Sequence, residues 1–167
     1  MPTEISIRAA TEADLQVVLR FIRLLAKYER EPEAVTATVD DLRRFGFGPT
    51  PRFHILLAHA GSQPLGMAFY FFNFSTWKGH PGLYLEDLFV LPSARRQGVG
   101  ERLMCELARI ALEQECTRLE FQVLDWNRAA INFYQSLGVQ QNCGWLPFRA
   151  EGEGLKALAL VSTTKTQ

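Results

Sequence analysis

Apolar and polar residues alternate over Ile5-Ser6-Ile7-Arg8, the period of a half-buried strand. The period then changes. Leu15, Val18, Leu19, Ile22 and Leu25 recur at helical spacing behind Thr11 and Asp14, a capping pair with Asp where Glu is usual. A second capped helix is predicted from Thr38 to Gly46 or Gly48. Phe53–Ala60 and Leu65–Phe74 read as strands joined by a hairpin at Gly61-Ser62-Gln63-Pro64, and Leu83–Val90 as a third strand. After a Gly-rich turn, Leu103, Leu107, Ile110 and Ala111 mark an amphipathic helix. Arg118–Leu124 is predicted as a strand and Asn127–Ser136 as a short helix ending at Gly138. The last strands are predicted near Gly144–Arg149 and Leu155–Val161. The order β-α-α-β-β-β-α-β-α-β-β predicts an α/β (α+β) fold, a mixed sheet flanked by helices. No repeat, low-complexity segment or linker interrupts residues 1–167, so a single domain is expected.

Composition narrows the function classes. A chain of 167 residues with 47% apolar and 22% charged residues is ordinary for a soluble globular protein. Eighteen basic residues balance eighteen acidic ones, which gives no electrostatic case for nucleic acid or an anionic membrane. Met1-Pro2-Thr3-Glu4 lacks the basic and apolar regions of a signal peptide, and no apolar run approaches the ~20 residues of a membrane span. Cys105, Cys116 and Cys143 are odd in number and fit no zinc spacing, so reduced thiols and a cytoplasmic protein are expected. His54, His59 and His80 are scattered without ligand spacing, and no metal site is expected.

The chemistry concentrates between residues 83 and 104. Leu83-Tyr84-Leu85-Glu86-Asp87-Leu88-Phe89-Val90 is an apolar strand carrying two carboxylates. Arg95-Arg96-Gln97-Gly98-Val99-Gly100 then leads into Glu101-Arg102-Leu103-Met104, which opens a helix. The first amides of a helix lack internal partners and the helix dipole favours negative charge there, so strand, Gly turn and helix together form an anion site. Acidic side chains upstream put proton transfer beside a phosphate-bearing cofactor. A P-loop is excluded because Gly100-Glu101-Arg102 does not supply Gly-Lys-Ser/Thr. A dinucleotide fingerprint fails at Leu103, where a third small residue is needed. Glu86 and Asp87 are consecutive on a strand, so opposite faces are expected for their side chains, with only one lining a cleft.

What remains, Arg-x-x-Gly-x-Gly, resembles the acetyl-CoA loop of the GNAT N-acetyltransferase superfamily, whose element order is also the one predicted. Six further blocks resemble the diamine (spermidine/spermine) acetyltransferases and their relatives that acetylate thialysine. They are Leu25-Ala26-Lys27-Tyr28-Glu29, Phe45-Gly46-Phe47-Gly48, Ser75-Thr76-Trp77-Lys78-Gly79, Tyr84-Leu85-Glu86-Asp87, Val123-Leu124-Asp125-Trp126-Asn127 and Asn132-Phe133-Tyr134. The likeness runs from about Ile5 to Trp145. Cys143 stands where the family has an acidic substrate residue before the Gly144-Trp145 pair.

The resemblance implies roles. Glu86 becomes a substrate-binding residue and candidate general base acting through water, beside Asp87. Tyr134 becomes the general acid for the departing thiolate and a neighbour of the cofactor. Leu88, Phe89 and Val90 would offer main-chain groups to the pantetheine arm. The loop Arg95, Arg96, Gln97, Gly98, Val99, Gly100 and Glu101 would cradle the pyrophosphate. Asn127, Arg128, Ala129 and Ala130 would border the arm, and Tyr28 and Glu29 would contact substrate. Animal relatives are dimers, so a homodimer is expected. Bland readings stay open beside these. Glu86 also fits a solvated strand carboxylate, and Tyr134 a packed helix aromatic. Arg95 and Arg96 also fit surface charges, and Tyr28 and Glu29 a helix edge. Trp77 and Trp126 are expected to pack rather than react. The implied activity is acetyl-CoA-dependent N-acetylation of a small polyamine, diamine or thialysine-like amino acid. A protein-amine acetyltransferase and a non-catalytic acyl-CoA module are the alternatives.

Overall fold

The computed structural model describes residues 4–160 and divides into two compact units, Met1–Trp126 and Asn127–Gln167. The first unit holds a five-stranded sheet in the order β1-β2-β3-β4-β5. Its strands are β1 (Ile5–Ala9), β2 (His54–Ala60), β3 (Gln63–Ser75), β4 (His80–Val90) and β5 (Leu119–Glu120). The first four pair antiparallel with sequential neighbours and β5 joins β4 in parallel, so the sheet is mixed as predicted. Its helices are α1 (Leu15–Tyr28), α2 (Val39–Gly46) and α3 (Val99–Glu113).

Local chemistry starts both early helices. Thr11 N–H donates to Asp14 Oδ2 at 2.8 Å in the 3₁₀ turn ahead of α1. Arg8 holds the same carboxylate through both oxygens at 2.8 Å, which keeps Asp14 well below the usual carboxylate range. The Thr38–Asp41 capping box starts α2, with Asp41 N–H on Thr38 Oγ1 at 3.1 Å and Thr38 N–H on Asp41 Oδ2 at 2.9 Å.

Leu15, Val18, Leu19 and Phe21 turn one face of α1 onto Ile55, Leu57, Met67 and Phe89 of the sheet. Phe21 and Phe89 meet at 5.3 Å between ring centroids. Burying one such side chain contributes about 2–3 kcal/mol. Alternation along β2 and β3 sends Leu56 and Ala68 to the opposite face. Helix α3, with Leu103 and Leu107 fully buried, packs on β1 through β4.

Three expectations are corrected. Arg118–Leu124 forms a ladder only at Leu119 and Glu120, opposite Leu83 and Tyr84. The strand expected at Gly144–Arg149 is absent among the described residues; Pro147 removes a ladder donor in the middle of it. Leu155–Val161 is not a strand either. Its described part lies in and just after α5 (Gly152–Ala159), while Val161 lies outside the described residues. Leu155-Lys156-Ala157-Leu158-Ala159 contains only good helix formers and no β-branched residue, so without a strand partner local propensity prevails. Trp77 also departs from the packing role. It sits in the turn between β3 and β4 and is 88% exposed. The second unit carries α4 (Arg128–Ser136) as well as α5.

Candidate active site

The pairing of β3 with β4 contains one irregularity, and it falls on the acidic pair. Phe69 faces Asp87 and Tyr70 faces Leu85, which leaves Glu86 as the extra residue of a bulge. A bulge resets the two-residue alternation of a strand. Asp87 therefore shares a face with Phe89, which packs against α1. Of the pair, Glu86 is the exposed member and Asp87 the half-buried one. Burial, reinforced by the charges of Glu86 and then Glu29, pushes the Asp87 carboxyl up from 3.8 to about 6. Burial also raises Glu29, the residue that ends α1. Tyr84 is raised by burial and then by the charges of Glu86 and Glu120. Glu29, Glu86, Asp87 and Tyr84 thus form one electrostatically linked group, with Glu86 its exposed member.

This linkage makes a measurable difference. Glu29→Gln removes one of the two negative charges that disfavour ionised Asp87, so the Asp87 midpoint is expected to fall. Carboxyl NMR titration of the two proteins reads this. An unmoved midpoint would separate Glu29 from the group.

The outer edge of β4 is the second component. Its parallel ladder with β5 covers only Leu83 and Tyr84 and stops short of the bulge. Among the described residues, no strand pairs with Leu88, Phe89 and Val90 on that edge. Their outward main-chain groups can therefore receive an extended ligand as an added strand.

The loop after β4 is the third. Arg95 turns back, its Nε donating to Val90 O at 3.2 Å while its guanidinium lies 4.9 Å from the Tyr28 ring centre. Arg95 is therefore more than a surface charge, because it ties the loop to the end of β4 and to the end of α1. Gln97 braces the turn through Ser93 O at 2.8 Å. Arg96 and Gly98 both adopt the left-handed conformation, with φ of 60° and 81°. Gly98 is the N-cap of α3 and provides no capping side chain, so the amides of Val99, Gly100 and Glu101 are left for a ligand. A Cβ built on Gly98 meets nothing within 4 Å, so open space lies in front of it. The residues present fit a phosphate group there.

In the second unit, Asn127 caps α4, its Oδ1 accepting from Ala130 N–H at 3.2 Å. Arg128 and Ala129 open the helix with exposed side chains. Tyr134 is half-buried in the penultimate turn, 5.1 Å from the Phe133 ring. Its carbonyl accepts from Leu137 and Val139 N–H as the helix ends.

Two residues given no chemical role from sequence belong to the first-unit group. Trp126 stands 6.3 Å from the Tyr28 ring, and the Arg30 guanidinium lies 4.4 Å over the indole. The available signal for Arg30 was its place just after a helix end, where Gly is usual. Among the described residues, no three His, Cys, Asp or Glu side chains are grouped as metal ligands, and no helix is long and apolar enough to cross a membrane.

The sequence profile of the Acetyltransferase (GNAT) family matches residues 18–139. The thialysine N-epsilon-acetyltransferase of Bos taurus is 41% identical over 166 residues, spanning 93% of this chain and 97% of that protein. The spermidine/spermine N(1)-acetyltransferase-like protein 1 of Homo sapiens is 36% identical across 92% of this chain, which matches 23% of that longer protein. Among solved structures, an integron cassette protein from the mobile metagenome of V. cholerae superposes with a TM-score of 0.78 at 31% identity. That match covers 96% of this chain and 99% of the cassette protein. With a family profile and near full-length relatives in agreement with the site's architecture, the chain belongs to the acetyltransferase (GNAT) family.

Proposed function

We propose that this acetyltransferase moves the acetyl group of acetyl-CoA onto a primary amine of a small diamine, polyamine or thialysine-like amino acid, by direct attack in a ternary complex. The observation that carries the reading is the continuity of three parts: carboxylates at the β4 bulge, an unpaired β4 edge, and an uncapped helix N-terminus tied back by Arg95. The names of the relatives supply the acceptor class.

When bound, acetyl-CoA supplies a thioester carbonyl for attack and a thiolate leaving group. The amides of Arg96 through Glu101 are assigned to its pyrophosphate, and the main chain of Leu88, Phe89 and Val90 to its pantetheine arm. Asn127, Arg128, Ala129 and Ala130 are assigned to the same cofactor on the strength of the resemblance. An alkyl ammonium has a pKa near ~10 and arrives protonated, so a carboxylate must first attract it and its proton must then leave. Glu86, exposed at the bulge, and Glu29 are assigned to the attraction, with Tyr28 as a flanking aromatic. Glu86 remains the candidate to pass the proton on through water. Asp87 beside it, pushed up to about 6, is assigned as the acceptor to which that proton passes near neutral pH. Tyr134 is assigned the proton delivered to the departing sulfur. A cytoplasmic setting with free Cys105, Cys116 and Cys143, and a homodimeric state, belong to the same reading.

Gly98→Val tests the cofactor part. A β-branched side chain would fill the open space before the amides, and at φ 81° it adds strain of about 1–2 kcal/mol. Acetyl-CoA affinity measured by calorimetry is expected to fall by about tenfold or more while the folded circular-dichroism spectrum persists. Unchanged affinity in the folded variant would remove the loop from the site.

A further inference from the structure

We propose that Arg30, stacked on Trp126, forms a carboxylate-binding subsite that makes the enzyme favour diamino acids over amines of the same length lacking a carboxylate. This deepens the proposed function and rests on it. Helix α1 ends with Glu31 N–H on Ala26 O at 2.9 Å and Arg30 N–H on Lys27 O at 3.2 Å. These are the two bonds of a Schellman cap, and its left-handed position, at φ 68°, is occupied by Arg30. Glycine takes this conformation freely, whereas an L side chain costs about 1–2 kcal/mol. Helix termination therefore gives no reason for an arginine here.

The side chain offers one. Its guanidinium lies 4.4 Å from the Trp126 ring centre, and Trp126 is in ring contact with Tyr28. Stacking occupies one planar face of a guanidinium and leaves its in-plane N–H donors, the geometry that grips a carboxylate at two points. Among the described residues, Arg30 makes no ion pair and its guanidinium no hydrogen bond. Arg95 differs, since its Nε is committed to Val90 O.

The preceding residue has the opposite charge and a separate environment. The field of Glu29 reaches Asp87, and Glu29 itself is raised by burial with no lowering from Arg30. Consecutive residues at the end of α1 thus present a carboxylate toward the acidic group and a guanidinium on the indole, without neutralising one another. An amino acid bearing a second amine has the complementary pair, ammonium and carboxylate. A simple diamine or polyamine has nothing for Arg30 to hold.

Arg30→Gly is the informative variant, because glycine suits the left-handed cap and the melting temperature is expected to hold or rise. Four acceptors are compared in the parent and the variant: S-(2-aminoethyl)cysteine, ornithine, and their decarboxylated counterparts bis(2-aminoethyl) sulfide and putrescine. The kcat/KM for the two amino acids is expected to fall about 10- to 100-fold, the effect of one charge-assisted contact, with the decarboxylated pair within a factor of three. The KM for acetyl-CoA is expected to stay at the parent value. Equal losses on all four acceptors, no loss on any, or a raised acetyl-CoA KM would each overturn the subsite. If the parent turns over none of the four, the small-amine reading itself fails before any variant is made, and the subsite fails with it.

Discussion

Tyr134→Phe is expected to lower kcat by about 10²-fold or more while acetyl-CoA affinity stays near the parent value. The substitution deletes one hydroxyl and keeps the ring, so the contact with Phe133 at 5.1 Å survives. The Tyr134 carbonyl, which accepts from Leu137 and Val139 at the end of α4, is also untouched. Loss of turnover in a variant of unchanged melting temperature would therefore report the proton, not the helix. A phenol with a pKa near ~10 is suited to protonate a thiolate as it leaves. Single-turnover kinetics isolate that step from product release. A rate within a factor of two of the parent would make Tyr134 a packing residue.

Asp87→Asn is expected to raise stability at neutral pH and to depress turnover. The folded protein binds the Asp87 proton more tightly than the unfolded chain does, since the group titrates at about 6 instead of 3.8. The stability contributed by the protonated form is fully present below about pH 4 and is lost as pH rises through about 6. Asparagine resembles that neutral form. Near pH 8 the variant should be more stable than the parent by about 1–3 kcal/mol, and near pH 4 the two should be alike. Kinetically, an amide accepts no proton, so kcat/KM should fall by about 10²-fold or more. The parent should also lose kcat/KM as pH drops below about 6. Urea unfolding at the two pH values and a pH–rate profile check both halves. A destabilised variant at pH 8 would mean that Asp87 is held by contacts that favour its charge.

The sequence carried the fold wherever periodicity was strong. The helical stripe from Leu15 to Leu25, the capping box at Thr38 and the three antiparallel strands all reappear with small boundary shifts. It failed where pairing, not pattern, decides. Arg118–Leu124 has strand composition, yet its parallel ladder with β4 takes only Leu119 and Glu120 and stops short of the bulge. Leu155–Val161 looked apolar enough for a strand, yet its part within α5 is helical, since no ladder partner overrides the local propensity. The Gly-rich turn and the acidic pair were legible because their residue types imply the chemistry. The bulge at Glu86 was not. It is a register event between two strands, invisible in either strand alone, and it falls beside Asp87, which lies in the fields of Glu86 and Glu29. Arg30 was hidden differently. Its meaning depends on a left-handed φ and on Trp126, ninety-six positions away in the chain and stacked beneath it.

The decisive measurement is CoA-thiol release from acetyl-CoA against a panel of thialysine, lysine, short diamines, spermine and lysine-containing peptides. The account predicts turnover of thialysine and short diamines, weaker use of spermine if Cys143 stands where the resemblance expects an acidic partner for its far ammonium, and little use of peptides. Turnover confined to peptides, or tight acetyl-CoA binding with no turnover of any amine, would contradict it.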